Sequence, residues 1–145
     1  MRTLALGLAM IAAVVIAPDG LQGQSPEQVA TRFAAAWQGE RGGVIEGLLA
    51  PGGARLNLEG HGYGGVAPRR ILAALGSYWE DWASSSVRVA RVSQMEEEPN
   101  RAYGELVWHG SSEVTGEAFE ATIFLGLIRT DGGWRVDELR TMRPR

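Results

Sequence analysis

Cysteine is absent from the 145 residues of this chain. Its absence excludes disulfide bonds, thiolate metal sites, a cysteine nucleophile and the lipidated cysteine of a lipoprotein leader. Lysine is absent as well, because all 14 cationic side chains are arginine. The net charge is -3 and neither sign forms a long run, so no basic stripe is present that could release counterions from nucleic acid. We expect a core without covalent cross-links and no nucleic-acid partner.

Histidine is scarce, with His61 and His109 as its two occurrences. A metal site needs three or four converging ligands, which two separated histidines do not supply. The glycine-rich stretch over residues 60–65 lacks the Lys-Ser/Thr pair of a phosphate loop and the spacing of a dinucleotide fingerprint. This stretch therefore predicts a turn, and we expect neither a metal nor a cofactor.

The longest apolar run lies at the N-terminus. Arg2 precedes residues 4–17, which are all apolar or glycine, and Pro18-Asp19-Gly20 breaks the run. A run of this length falls short of the roughly 20 residues that span a membrane but suits the core of a secretory signal peptide. We expect a signal peptide over residues 1–23, a single domain over residues 24–145 without a membrane span, and export to the periplasm or outside the cell. An uncleaved anchor or a buried N-terminal helix is the alternative.

Apolar side chains recur at helical spacing after this leader. Ser25, Pro26 and Gln28 predict a helix start, because serine can cap, proline fits the first turn and glutamine completes a capping box. A shorter helix is expected over residues 44–49 and a third from Pro68 to Ala83, with a short strand over residues 55–59 between them. The apolar stripes are Val29, Phe33, Ala36 and Trp37 in the first helix, Val44, Ile45, Leu48 and Leu49 in the second, and Ile71, Leu75, Tyr78, Trp79 and Trp82 in the third.

From Val87 onward the apolar period changes from about 3.6 to 2, which is typical of strands. Strands are expected over residues 87–95, 101–110, 114–129 and 134–142, with a hairpin turn at Thr130-Asp131-Gly132-Gly133. Helices followed by meandering strands predict an α+β domain with an antiparallel sheet.

The strand over residues 114–129 is apolar on both faces. Phe119, Ala121, Ile123, Leu125 and Leu127 share one face, and Thr122, Phe124, Gly126 and Ile128 share the other. An antiparallel strand with one solvated face would alternate apolar and polar side chains. We therefore expect helices on the face of Phe124 and Gly126, and a partner subunit on the face of Ile123. A sheet that curls over itself is the alternative.

The order of these elements resembles the nuclear-transport-factor-two-like superfamily, a cystatin-like cone whose members include ketosteroid isomerases, scytalone dehydratase and polyketide cyclases. The resemblance covers residues 24–145 and is strongest to small exported domains without an assigned function. It implies three N-terminal helices packed in a curved, mixed or antiparallel sheet, with an apolar pocket at the open end of the cone and frequent dimerisation through the outer face of the sheet. The residues that carry it are Arg32-Phe33 and Trp37, the strand from Leu56 to Leu58, the aromatic third helix, and the hairpin Asp131-Gly132-Gly133-Trp134-Arg135-Val136.

The isomerase branch of that superfamily uses a carboxylate base, with a tyrosine and a protonated acid at the developing oxyanion. The resemblance places these positions near Phe33, Asn57 and Gly126. Phe33 has no hydroxyl, Asn57 cannot take a proton at neutral pH, and Gly126 has no side chain. We therefore expect a non-catalytic domain. The alternative is a lyase or isomerase with an unorthodox acid–base set drawn from His61, Glu105, Glu120 or Asp137.

The tryptophans and phenylalanines on these elements favour a flat or hydrophobic ligand if they line the cone. We expect the protein to bind a small apolar molecule or a protein partner, as a homodimer. A cone filled by its own rings is the alternative. The expected pocket residues are Phe33, Trp37, Asn57, Trp79, Trp108 and Phe124.

The leader gives a first testable prediction. Material isolated from the exported fraction should begin between Pro18 and Ser25, because a signal peptide is removed after its apolar core. N-terminal sequencing checks this, and exported protein that still begins Met1-Arg2-Thr3 would contradict it.

Overall fold

The computed structural model describes residues 24–143, so the predicted signal peptide over residues 1–23 lies outside the described residues. Three helices and six strands follow one another along this range. Their bounds are α1 Pro26–Gln38, α2 Gly42–Leu48, β1 Ala54–Leu58, β2 His61–Val66, α3 Pro68–Asp81, β3 Trp82–Gln94, β4 Arg101–Ser112, β5 Ala118–Thr130 and β6 Gly133–Met142.

The start of α1 confirms the predicted capping box. The Gln28 backbone N–H donates to the Ser25 hydroxyl at 3.2 Å, and the Ser25 N–H donates to the Gln28 side chain at 2.9 Å. These bonds satisfy two donors that a helix start otherwise leaves free. Val29, Phe33 and Trp37 then lie fully buried on one face of the helix.

The six strands form one curved, mixed sheet in the order β2-β1-β6-β5-β4-β3. Neighbouring strands are antiparallel except for β1 and β6, which pair in parallel. The helices cover the inner face of this sheet, where α1 packs against β3, β4 and β6. The α+β class is confirmed, but β1 and β2 lie between α2 and α3, so the helices do not all precede the sheet. No helix within residues 24–143 is long and apolar enough to cross a membrane.

The glycine-rich stretch over residues 60–65 is mostly a strand, whereas a turn was expected. Glu59 and Gly60 alone make the turn, with φ of 52° and 91°, and Leu58 pairs directly with His61. Positive φ at both central residues gives the twist that closes a tight hairpin. The residues after it are therefore free to continue as the exposed edge strand β2.

The third helix ends at Asp81, one residue before the last member of its predicted stripe. Trp82 is extended, with φ of -133° and ψ of 111°, and begins β3. The serines that were expected to end the helix lie in this strand, where the Ser84 hydroxyl accepts a hydrogen bond from the Trp108 indole at 2.8 Å. Pairing with β4 as far as Ser112 holds this segment extended.

The predicted assignment of the two faces of β5 is wrong. Ile123 is fully buried in the core, whereas Phe124 lies half-buried on the outer face beneath the guanidinium of Arg140. Gly126 lies beside a β-bulge, and a Cβ there would meet the Cβ of Glu138 at 2.8 Å. Its lack of a side chain therefore permits a close approach of strands and does not open space in a pocket. Because both faces are apolar, alternation alone could not show which one the helices cover.

Candidate functional site

Aromatic rings occupy the space between the helices and the sheet. The ring centroid of Trp37 lies 6.1 Å from that of Phe33, 5.5 Å from Trp79 and 5.2 Å from Trp108. Their exposed fractions are 0% for Phe33, Trp37 and Trp108 and 8% for Trp79. The structure thus brings four of the expected pocket residues together, but they pack against one another as core.

The other expected pocket residues, Asn57 and Phe124, lie on the opposite side of the sheet from those rings. Asn57 belongs to β1 between the buried Leu56 and Leu58, and its side chain oxygen accepts a hydrogen bond from the Gly60 N–H at 2.8 Å. Asn57 therefore closes the β1–β2 turn, and it also borders an open groove at this end of the sheet. Phe124 stacks with Arg140, whose guanidinium carbon lies 5.3 Å from the ring centroid.

An open groove lies at the end of the sheet where β6 stops and β5 continues. Met142 pairs with Thr122, so β5 extends from Ala118 to Ala121 without a β6 neighbour. The groove between this part of β5 and the β1–β2 turn has a volume of about 1070 Å³. Its lining combines aromatic, acidic and basic side chains, chiefly Glu59, Trp82, Phe119, Glu120, Thr141 and Arg143.

The aromatic core continues without interruption into this groove. Phe119 contacts the buried Trp108 at 4.7 Å between centroids and contacts Trp82 at 5.3 Å, both edge to face. Phe119 and Trp82 are half-buried. They consequently offer apolar surface in the groove while the core beneath holds them in place.

A carboxylate lies at the centre of the polar contacts in the groove. The Tyr78 hydroxyl donates to Glu59 Oε1 at 3.0 Å, and the Nε of Arg143 lies 2.7 Å from the same oxygen. The Nη2 of Arg143 donates to Glu59 Oε2 at 3.2 Å, which makes the pair bidentate. Both carboxylate oxygens are therefore engaged.

Backbone geometry fixes the position of Glu59. Its φ of 52° is a left-handed conformation that costs a non-glycine residue roughly 1 kcal/mol or more. The N–H of Glu59 donates to the carbonyl and the hydroxyl of Thr141, each at 3.2 Å. These bonds from β6 hold the turn, so its carboxylate points toward Tyr78 and Arg143.

Tyr78 reaches Glu59 from the flank of α3. Its ring lies 5.7 Å from that of Trp108 and 6.3 Å from that of Trp37. Burial raises the pKa of the Tyr78 phenol far above its ordinary value, while a hydrogen bond with Thr141 lowers it and the charge of Glu59 raises it further. The phenol therefore stays protonated at physiological pH and acts as a hydrogen-bond donor to the carboxylate.

The side chains considered for acid–base chemistry lie away from the aromatic core. Glu105 forms an ion pair with Arg91 at 2.8 Å, and Asp137 forms one with Arg101 at 3.1 Å. His61 and Glu120 are exposed, and His109 lies half-buried on the outer face of β4. Within residues 24–143, no group of three His, Asp or Glu side chains is arranged to hold a metal ion.

The sequence did not single out Glu59, Tyr78 or Arg143. The sequence pattern places Glu59 at the end of a strand and Tyr78 in an apolar stripe. A turn residue followed by glycine and flanked by extended segments is a signal for a tight hairpin, and it could have placed Glu59 at an exposed corner. Glu59 and Arg143 are separated by 84 positions in the sequence, so no local signal indicates their contact.

No protein-family model matches the chain, and no curated protein matches its sequence. Solved structures do match its fold. A ketosteroid isomerase-like protein from Erwinia carotovora atroseptica has a TM-score of 0.67 at 14% identity, over 81% of this chain and 92% of that chain. A protein from Catenulispora acidiphila with a ketosteroid isomerase-like fold, solved in complex with trimethylamine, has a TM-score of 0.63 at 16% identity, over 82% and 86%.

A further neighbour is a DUF4783 family protein from Bacteroides ovatus, with a TM-score of 0.61 at 10% identity, over 79% of this chain and 94% of that chain. At these identities the similarity establishes the fold alone. This chain therefore has a ketosteroid isomerase-like fold, which agrees with the fold implied by the resemblance found in the sequence.

The raised pKa of Tyr78 predicts a pH dependence of stability. The folded protein holds a proton that the unfolded chain releases above the ordinary tyrosine pKa of about 10, so the contribution is present below that pH and is lost as the pH rises. We expect the urea midpoint of the wild type to fall between about pH 9 and pH 11 more steeply than that of Tyr78→Phe. Because the chain has no lysine or cysteine, tyrosine is the side-chain type with an ordinary pKa in that range.

Tyr63→Phe, in the exposed edge strand, is the matched control and should keep the wild-type slope. Wild type and Tyr78→Phe with parallel curves would show that Tyr78 is not the group responsible.

Proposed function

We propose that this protein is an exported, non-catalytic domain that binds a small amphipathic molecule in the groove between the β1–β2 turn and β5. The proposal is supported by the difference in burial between two pairs of aromatic rings. Trp37 and Trp108 are fully buried against each other, whereas Trp82 and Phe119 are half-buried in a groove of about 1070 Å³. Apolar surface is therefore accessible to a ligand at the open end of the cone. The sequence had predicted such a surface in the interior of the cone.

The groove lining suits a ligand with a flat apolar part and a polar end. Burial of apolar area contributes about 25 cal/mol per Å², so covering roughly 100 Å² of ring surface would supply about 2.5 kcal/mol. The charged groups of Glu59 and Arg143 offer directional contacts beside the rings. The complex of the Catenulispora protein with trimethylamine supports small-ligand binding by a protein of this fold.

A lyase or isomerase is the alternative, with Glu59 as base and Tyr78 as proton donor. The hydrogen bond of 3.0 Å between them and the left-handed backbone at Glu59 favour it, because strained residues cluster at active sites. The ion pair with Arg143 argues against it. While Arg143 occupies this position, both oxygens of Glu59 accept hydrogen bonds, so neither is free to take a proton from a substrate.

Binding in the groove can be tested with a panel of 2-naphthol, a sterol and a fatty acid. Titration of ¹⁵N-labelled protein should shift the indole N–H signal of Trp82 more than those of Trp37 and Trp79. Trp82→Ala should weaken binding by roughly tenfold or more, since a buried aromatic contact contributes on the order of 1.5–3 kcal/mol. Tyr103→Ala removes a ring that is 41% exposed on the outer face and should leave binding unchanged.

Shifts centred on Trp37 and Trp79 would place the ligand in the core and contradict the groove. Turnover of a panel compound that Glu59→Gln and Tyr78→Phe both abolish would establish the enzymatic alternative.

We also propose that the domain forms a homodimer through the outer face of the sheet. Phe124 and Tyr103 lie there beside a hollow of about 510 Å³. The ion pairs Arg91–Glu105 and Arg55–Glu138 place both charge signs on the same surface. A second copy of this chain can bind to this face, because a two-fold symmetric contact can place the acidic side chains of one subunit opposite the basic side chains of the other.

Phe124→Arg should therefore convert a dimer to a monomer in sedimentation velocity while leaving far-UV circular dichroism unchanged. Ile123→Arg should instead unfold the protein, because Ile123 is fully buried in the hydrophobic core. A wild-type protein that sediments as a monomer at high micromolar concentration would contradict the dimer.

A further inference from the structure

We propose that the groove contains a site for a small organic cation, an alkylammonium or guanidinium compound, and that Arg143 occupies this site as an internal competitor. The inference rests on the proposed binding function of the groove and names the ligand class and its control. It comes from the contacts of a single side chain.

The guanidinium of Arg143 is held as a bound cation would be. Its central carbon lies 4.1 Å from the ring centroid of Trp82, the distance of a close cation–π contact. Its nitrogens meet the two oxygens of Glu59 at 2.7 Å and 3.2 Å. An aromatic face and a carboxylate that converge on one point form the arrangement that recognises organic cations.

The site does not depend on Arg143 for its shape. Glu59 is fixed by the bonds from its N–H to Thr141 and by the hydroxyl of Tyr78. Trp82 is fixed by its pairing with Ser112 and by edge-to-face contact with Phe119. Departure of the arginine would leave both groups in place.

Arg143 lies beyond the end of the sheet and contacts the site through its side chain. It follows Met142, the last residue of β6, and lies outside the hydrogen-bonded ladder of the sheet. The exposed fraction of its side chain is 39%, whereas that of Glu59 is 22%. The arginine therefore forms the exposed half of the pair and the carboxylate the sheltered half, as expected for a movable cation on a fixed site.

The charges around the groove favour a cation once Arg143 has moved. The lining contains the carboxylates of Glu59, Glu117 and Glu120 and the guanidiniums of Arg140 and Arg143. Arg140 stacks over Phe124 on the outer face and does not reach Glu59 in this structure. Displacement of Arg143 leaves acidic groups in excess, which attracts a positively charged ligand.

Competition between Arg143 and the ligand determines how far the affinity for a cation rises when Arg143 is removed. A partly exposed bidentate ion pair with a cation–π contact favours the occupied state by a factor of about 3–30. A ligand that binds the open site is weakened by the same factor, because its apparent affinity scales with the open fraction. Removing the arginine side chain should therefore strengthen cation binding by about 3- to 30-fold.

The test is a calorimetric and NMR titration of the full domain with benzyltrimethylammonium and with arginine methyl ester, using 2-naphthol as the neutral probe. In the wild type, cation binding should shift the Arg143 Nε–H and Trp82 indole signals together. Arg143→Ala should bind both cations about 3- to 30-fold more tightly, and Glu59→Gln should lose roughly tenfold or more. Arg140→Ala is the matched control, because it removes the same charge from the groove lining without touching Glu59 or Trp82.

Equal gains in Arg143→Ala and Arg140→Ala would overturn the competition and leave only a general charge effect. Binding of 2-naphthol in the groove, with no preference for the cations in any variant, would overturn this inference while the proposed binding function stands. A groove that binds neither the neutral probe nor the cations in Arg143→Ala would overturn both.

Discussion

The packing of Trp37 against the rings around it is the interaction on which the rest of the molecule depends. Trp37 is fully buried and meets both Trp79 and Trp108 edge to face, so one side chain of α1 connects α3 with the sheet. Edge-to-face pairs contribute about 0.5–1.5 kcal/mol beyond the area they bury. With these rings in place the interior of the cone is occupied by side chains, and apolar surface reaches solvent where the rings end, at Trp82 and Phe119.

This packing has a cost in unused hydrogen bonds. The indole nitrogens of Trp37 and Trp79 are buried and have no hydrogen-bond partner within the part of the chain that the structure describes. A buried donor without a partner normally destabilises a fold by about 1–3 kcal/mol. Both rings lie in T-shaped contact, an arrangement in which a ring face can accept a weak hydrogen bond from an indole N–H and recover part of that cost.

The sequence predicted a structural element correctly where the residues that form it lie within a few positions of one another. The capping box at Ser25 and the hairpin before Trp134 are such cases. Trp82 shows the limit, because its spacing from Tyr78 and Trp79 fits a helix while its pairing with β4 makes it a strand residue. Long-range pairing overrode local periodicity there.

The candidate site was less predictable than the fold for the same physical reason. Glu59 comes from a turn, Tyr78 from a helix flank and Arg143 from the end of the last strand, and only the folded sheet brings them together. No spacing rule connects residues that meet through three different elements. The expected pocket residues show a second limit. A sequence pattern that predicts buried aromatic residues is the same whether these residues line a cavity or pack against one another, as Phe33, Trp37 and Trp108 do here.

The parallel pairing of β1 with β6 has a consequence for the order in which the molecule can fold. In the sheet, the β1–β2 hairpin contacts the larger antiparallel unit through β6, the last strand of the described chain. Before β6 has been synthesised, the β1–β2 hairpin has no strand through which it can join the rest of the sheet. Contacts at such sequence separation form late and slowly. The sheet of this domain would therefore be completed only once its final strand is available.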